Sequence, residues 1–298
     1  MRKVVLIVAA CVSVVAVACA PKSSSSSAVG SGTFATAAEC AQANAGDLSA
    51  DATLTIGTGN PAYKPWYGGK SAADSEWKAG SFTGDPHSGE GYEAAFAYAL
   101  ADRLGFTQDQ VQWLGIPFSK SFAPGPKDYD FAMQQISISE KRAEAVDFSS
   151  GYFDVNQALI ANNGSPAIGV TTLAGLQDLT LGAPLGTTSL QVIQDEVQPN
   201  TEPKVYPTLD LALKAMDNGD VDGVVVDFPT AFYGYADAVV GQFPNLGGQQ
   251  EQFGLAFAKG NGFVPCVDQA IAELNTDGTL DDLKSQWLET DANVPTFS

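Results

Sequence analysis

Short extended segments alternate with helical patterns along most of the 298 residues, and that alternation constrains the fold most. Leu54-Thr55-Ile56 is a short β-branched run ending at Gly57-Thr58-Gly59, and Val111-Gln112-Trp113-Leu114 is another. Between them Tyr92, Ala95, Phe96, Ala99, Leu100 and Leu104 recur at helical spacing, and Gly105 stops the pattern as a C-cap. Strand-helix-strand repetition of this kind predicts an α/β fold with largely parallel sheets. The string Gly57-x-Gly59-x-x-Ala62 superficially matches a dinucleotide fingerprint. A helix must open at those glycines, and Pro61 and Pro65 prevent one, so no Rossmann cofactor site is expected. Residues 67–90, rich in Gly, Ser, Lys and Asp, read as a long exposed loop.

Composition narrows the function classes. Asp and Glu total 34 against 15 Lys and Arg, a net charge of -19. The acids are spread along the chain, and such a surface repels phosphate backbones, so nucleic acid is not an expected partner. His87 is the only histidine and no C-x-x-C occurs, which argues against a zinc site; no metal or cofactor is expected.

The one long apolar run is N-terminal. Arg2 and Lys3 precede an apolar stretch from Val4 to Ala18, followed by Cys19. A basic head, a short apolar segment and small residues describe a signal peptide, 1–18. Cys19 after Ala16-Val17-Ala18 resembles a bacterial lipoprotein box, which implies acylation of that cysteine. An ordinary A-x-A cleavage site would cut at the same bond. Residues 19–47 then form a lipid-anchored tether and N-terminal extension, beginning with the flexible Pro21 to Ser27 segment. Cys11 leaves with the signal peptide and Cys19 carries lipid, leaving Cys40 and Cys266 as an even pair in an oxidising compartment. They form either a disulfide or two free thiols.

A more specific pattern lies in the middle of the chain. Asp130-Phe131-Ala132-Met133 leads to Gln135-Ile136-Ser137-Ile138-Ser139, then to Glu140-Lys141-Arg142 and Val146-Asp147-Phe148-Ser149, with an aromatic pair at Tyr152-Phe153. This run resembles the signature of the bacterial solute-binding proteins of family 3, receptors of polar-amino-acid ABC importers. Gly91-Tyr92-Glu93, Leu181-Gly182 to Ser189, Val221 to Asp227, Phe253 to Phe257 and Val267 to Trp287 resemble further family blocks in the same order. The resemblance covers roughly residues 50 to 288.

It implies a two-lobed periplasmic-binding-protein-like fold, with a hinge of two crossing strands and a ligand cleft between the lobes. The crossings fall near 157–160 and 254–257, so lobe one takes 48–157 with 256–298 and lobe two takes 158–255. The implied function is an extracytoplasmic substrate-binding receptor of an ABC importer, not an enzyme. It binds a small polar solute, an amino acid above all, and delivers it to a membrane permease. It is expected as a monomer, exported and lipid-anchored to the outer face of the cell membrane. A dehydratase-like periplasmic enzyme and a sensory lipoprotein on the same fold are the alternatives.

An α-amino acid needs paired donors for its carboxylate and an acid for its ammonium. At family positions, Arg142 offers a planar fork for the carboxylate. Ser137 and Thr188 add hydroxyls and amides, and Asp227 suits the ammonium. Tyr63 is the candidate for stacking on the ligand, with Trp66 as a second aromatic wall. The plainer alternatives are a solvated helix charge for Arg142 and ordinary core for Tyr63. Two departures bear on the ligand. Gln135 stands where the family often has Gly. Asn60 occupies a position where receptors for cationic amino acids often carry Asp, which favours a polar or neutral amino acid.

Overall fold

The computed structural model describes residues 34–288 and 294–298. The expected signal peptide, Cys11, Cys19 and the expected tether through residue 33 lie outside the described residues. Among those described, no helix is long and apolar enough to cross a membrane.

Two five-stranded sheets carry the architecture. In the first, the order is Val111–Gly115, Leu54–Thr58, Phe131–Ala132, Ala256–Ala258, Val146–Phe148. In the second it is Lys204–Tyr206, Leu181–Pro184, Gly223–Asp227, Gln157–Ile160, Val239–Gln242. Each sheet begins with three parallel strands, and its fourth runs antiparallel to both neighbours. In each sheet that fourth strand follows directly on a strand of a third, smaller sheet. Phe153–Val155 precedes Gln157–Ile160, Glu251–Phe253 precedes Ala256–Ala258, and the two small strands pair antiparallel.

The resemblance implies crossings near 157–160 and 254–257, and the small two-stranded pair Phe153–Val155 with Glu251–Phe253 lies just ahead of both stretches. Both stretches are continuous apolar runs, and periodicity does not mark where such a run changes sheet. The chain's last residues also differ from the expected lobe. Thr296 pairs with Gln242, and the Phe297 ring sits 5.0 Å from that of Phe243, so 294–298 pack on the second sheet.

The helices cover the sheets for identifiable reasons. Tyr92–Arg103 buries Tyr92, Phe96 and Leu100 against the first sheet. Its entry requires a glycine: Gly91 has φ +95°, and a Cβ there would meet the Trp66 carbonyl oxygen at 2.6 Å. Ser139, Thr187 and Thr208 cap three further helices, each side chain accepting the amide three residues on. Cys40 on Ala37–Ala43 is disulfide-bonded to Cys266 on Val264–Thr276, with Cα atoms 5.2 Å apart. The open choice between a bridge and free thiols is thereby resolved.

Residues 67–90 are not the plain exposed loop that their composition predicts. Thr83–Gly84 pairs with Ala62–Tyr63, and Tyr67, Trp77 and Asp85 are buried. The Trp77 indole donates to the Gly59 carbonyl at 2.7 Å. One large aromatic is enough to pin a polar segment to the body, because its burial outweighs the polar average around it.

Candidate functional site

The parallel strands of the two sheets end around one cavity of about 490 Å³. Thr58 and Gly115 close their strands on one side, and Pro184 and Asp227 close theirs on the other. Sites beyond strand carboxyl ends are typical of open α/β sheets, and the volume lies within the usual range of about 300–1,000 Å³ for small-molecule pockets.

A buried polar cluster joins the sheets beside this cavity. The Gln157 side chain donates to Asp227 Oδ1 at 3.1 Å and to the Glu251 carboxylate at 3.2 Å, and accepts from Ser189 Oγ at 2.7 Å. Glu251, on the crossing strand, also accepts from Ser137 Oγ at 2.5 Å. Ser137 Oγ lies 3.2 Å from Thr188 Oγ1, so hydroxyls from opposite sides meet directly. Burial, then the neighbouring Glu251, pushes the Asp227 carboxyl up to about 7, opposed by the Gln157 hydrogen bond and by Arg142.

Arg142 lies at the edge of the cluster. Its guanidinium donates to the Ser137 carbonyl at 2.7 Å and to the Gly186 carbonyl at 2.9 Å, bridging the two sides. It stands 5.5 Å from the Phe118 ring centroid and 4.6 Å from that of Phe122. Burial lowers its pKa to about 10, against the pull of Glu251 and Asp227. It remains a cation at neutral pH, with three of its five N–H donors uncommitted.

Asn60, Tyr63, Gln135, Thr188 and Asp227, all singled out from sequence, line the cavity. Ser137 meets its wall at Thr188 and Arg142 stands over the lining Phe118 ring, neither of them lining it themselves. Trp66 is not a cavity wall. It is fully buried, its indole donates to Thr230 Oγ1 at 2.9 Å, and its ring packs edge-on against Tyr92, Phe153 and Phe253. The physical reason is that Tyr63 ends a short strand with its side chain half-buried, whereas the turn after it carries Trp66 into the aromatic core under Gly91.

Gln135 has φ +53°, the left-handed region in which glycine is easiest. Its backbone N–H donates to Glu93 Oε1 at 2.8 Å and its amide donates to the other oxygen of the same carboxylate. Glu93 is wholly buried and its pKa is raised by burial. A buried carboxyl thus holds a strained residue in place on the cavity wall. Sequence inspection missed Glu93, Gln157 and Glu251 as partners of the site. The signals that marked them are the Gly91-Tyr92-Glu93 block for Glu93 and a glutamine heading the apolar run Gln157 to Ile160.

Comparison with known proteins adds a family. Residues 70–290 match the bacterial extracellular solute-binding proteins, family 3. The chain is 30% identical over 220 residues to the L-cystine-binding protein TcyJ of Escherichia coli, covering 71% of this chain and 79% of that one. It is 26% identical over 213 residues to the ABC transporter glutamine-binding protein GlnH of Bacillus subtilis, covering 70% and 76%. Among solved structures, an ancestral arginine-binding protein bound to glutamine matches with a TM-score of 0.64 at 26% identity, covering 80% of this chain and 98% of that one.

Proposed function

The chain belongs to the bacterial extracellular solute-binding proteins of family 3, and from that premise we propose that its cavity takes an α-amino acid for an ABC importer. Its role is that of an extracytoplasmic substrate-binding receptor, and its fold is the two-lobed α/β fold of amino-acid-binding proteins. The ligand ammonium goes to Asp227 and the carboxylate to Thr188, with Arg142 supplying positive charge from behind the wall. Asn60, Tyr63 and Gln135 close the cavity from the other lobe.

The observation that carries this is the state of Asp227. A carboxyl raised to about 7 by burial beside a second carboxylate lacks a counter-charge on its cavity side, and an ammonium supplies one. Residues from both lobes line the cavity, so a bound solute favours the closed arrangement over an open one. Closure then presents a new surface to the permease.

With the crossing pair as hinge, the lobes divide at 153–155 and 251–253, and 294–298 join the second lobe. Acylation at Cys19 would hold the receptor, as a monomer, at the outer face of the membrane. The test is a thermal-shift screen of the purified protein against L-cystine, L-glutamine, L-glutamate, L-arginine and the remaining L-amino acids. A ligand at 100 times its Kd raises stability by about 2.7 kcal/mol. No shift with any L-amino acid refutes the proposal.

A further inference from the structure

Among the described residues, the charged ones lining the cavity are carboxylates, Asp227 from one lobe and Glu76 from the other, with no Lys, Arg or His. Glu76 belongs to the 67–90 segment, and three contacts hold it at the wall. Asn60 Nδ2 donates to the Glu76 carbonyl at 3.3 Å. The next residue, Trp77, is buried and donates to the Gly59 carbonyl at 2.7 Å. Thr83 Oγ1 donates to the Lys78 carbonyl at 2.8 Å, fixing the far side of the turn.

The Glu76 carboxylate itself lies over Gly115 at the end of its strand. A Cβ built on Gly115 would be 3.3 Å from Glu76 Oε2 and 3.4 Å from the Asn60 Cβ. The missing side chain at 115 is what leaves room for the carboxylate beside Asn60. Asn60 brings an amide to this corner of the cavity, and the polar segment brings a carboxylate to it from elsewhere in the chain.

We propose that Glu76 is a specificity-determining residue that selects amino acids carrying a second cation at the far end of the side chain, a guanidinium or ammonium. The inference rests on the amino-acid reading of this cavity, with the α-ammonium at Asp227. A ligand with one ammonium answers one of the two carboxylates, and a ligand with two cationic groups answers both. A neutral side chain leaves the Glu76 carboxylate without a counter-charge when the cleft closes over it.

The test compares L-arginine with L-citrulline, which has nearly the same shape and a neutral urea in place of the guanidinium. Calorimetry on wild type should give arginine an advantage of about fivefold or more, as for a pair at a partly exposed site. Glu76→Gln should reduce that ratio to within about twofold, chiefly by weakening arginine. Because Glu76 is exposed on a surface segment, this variant should retain the wild-type melting temperature without ligand. As a second variant, Gly115→Ala should lower the ratio by crowding the carboxylate. Binding of both ligands with equal affinity in wild type, or a ratio unchanged in Glu76→Gln, overturns the inference while leaving the amino-acid receptor standing. If neither these ligands nor any other L-amino acid binds, both fall.

Discussion

Lowering the pH should weaken ligand binding through Asp227. In the unliganded protein its carboxyl sits at about 7 because burial and Glu251 disfavour the charge. An ammonium favours the charged form, so binding must displace the proton whenever the carboxyl begins protonated. At pH 8.5 almost none of the protein carries that proton, and binding proceeds without loss. At pH 5.5 only about 3% is deprotonated, so affinity should fall by about 30-fold, close to tenfold per pH unit below 7. Calorimetry at pH 8.5, 7 and 5.5, in two buffers of different ionisation enthalpy, reads both the affinity and the release of about one proton near pH 5.5.

The sign for stability follows from the same shift. Between the unfolded pKa near 3.9 and the folded value of about 7, the native state binds a proton that the unfolded state has lost. This group therefore lowers unliganded stability as pH rises through that window, and the ligand-induced rise in Tm should be larger at pH 8.5 than at pH 5.5. Asp227→Asn should bind more weakly at high pH, by about 2–5 kcal/mol, with the slope removed. A wild-type affinity that is flat from pH 8.5 to 5.5, or a slope that survives in Asp227→Asn, refutes the reasoning.

Arg142→Lys should weaken ligand binding by about 1.5–3 kcal/mol although the charge is kept, because an ammonium lacks the planar fork that ties the Ser137 and Gly186 carbonyls together across the two sides; calorimetry with the identified ligand measures this. Cys266→Ser should lower stability in denaturant melts by up to about 5 kcal/mol, the order of the loop-entropy value for a bridge across 226 residues, while affinity stays at wild type because both cysteines lie in helices outside the cavity. Cys19→Ser should move the exported protein from the membrane fraction to the medium or periplasmic fraction on fractionation, whereas unchanged membrane association would contradict the proposed anchor.

Much of the fold is local, and so it is legible in the sequence. The strands Leu54–Thr58 and Val111–Gly115 and the helix between Gly91 and Gly105 each announce themselves in a few residues. The family blocks then hold Asp227, at a strand end, and Thr188, at the start of a helix, both of which line the cavity. What escapes inspection depends on pairing between distant residues. Gln157 acquires meaning only beside Glu251, which the crossing strands bring to it from 94 residues away. Trp66 and Tyr63 differ by three positions, and only the packing under Gly91 separates a core ring from a cavity wall. Averaging composition over 67–90 hides Trp77, the side chain that carries Glu76 to the site.

Calorimetric titration of the ligand-stripped protein with its best L-amino acid, set against the same compound lacking the α-amino group, tests the central claim most directly. The account predicts one-to-one binding of the amino acid. The des-amino analogue, which leaves Asp227 uncompensated, should bind weaker by about 2–5 kcal/mol in wild type. In Asp227→Asn that penalty should largely vanish. Equal affinity for the two compounds in wild type would contradict the account.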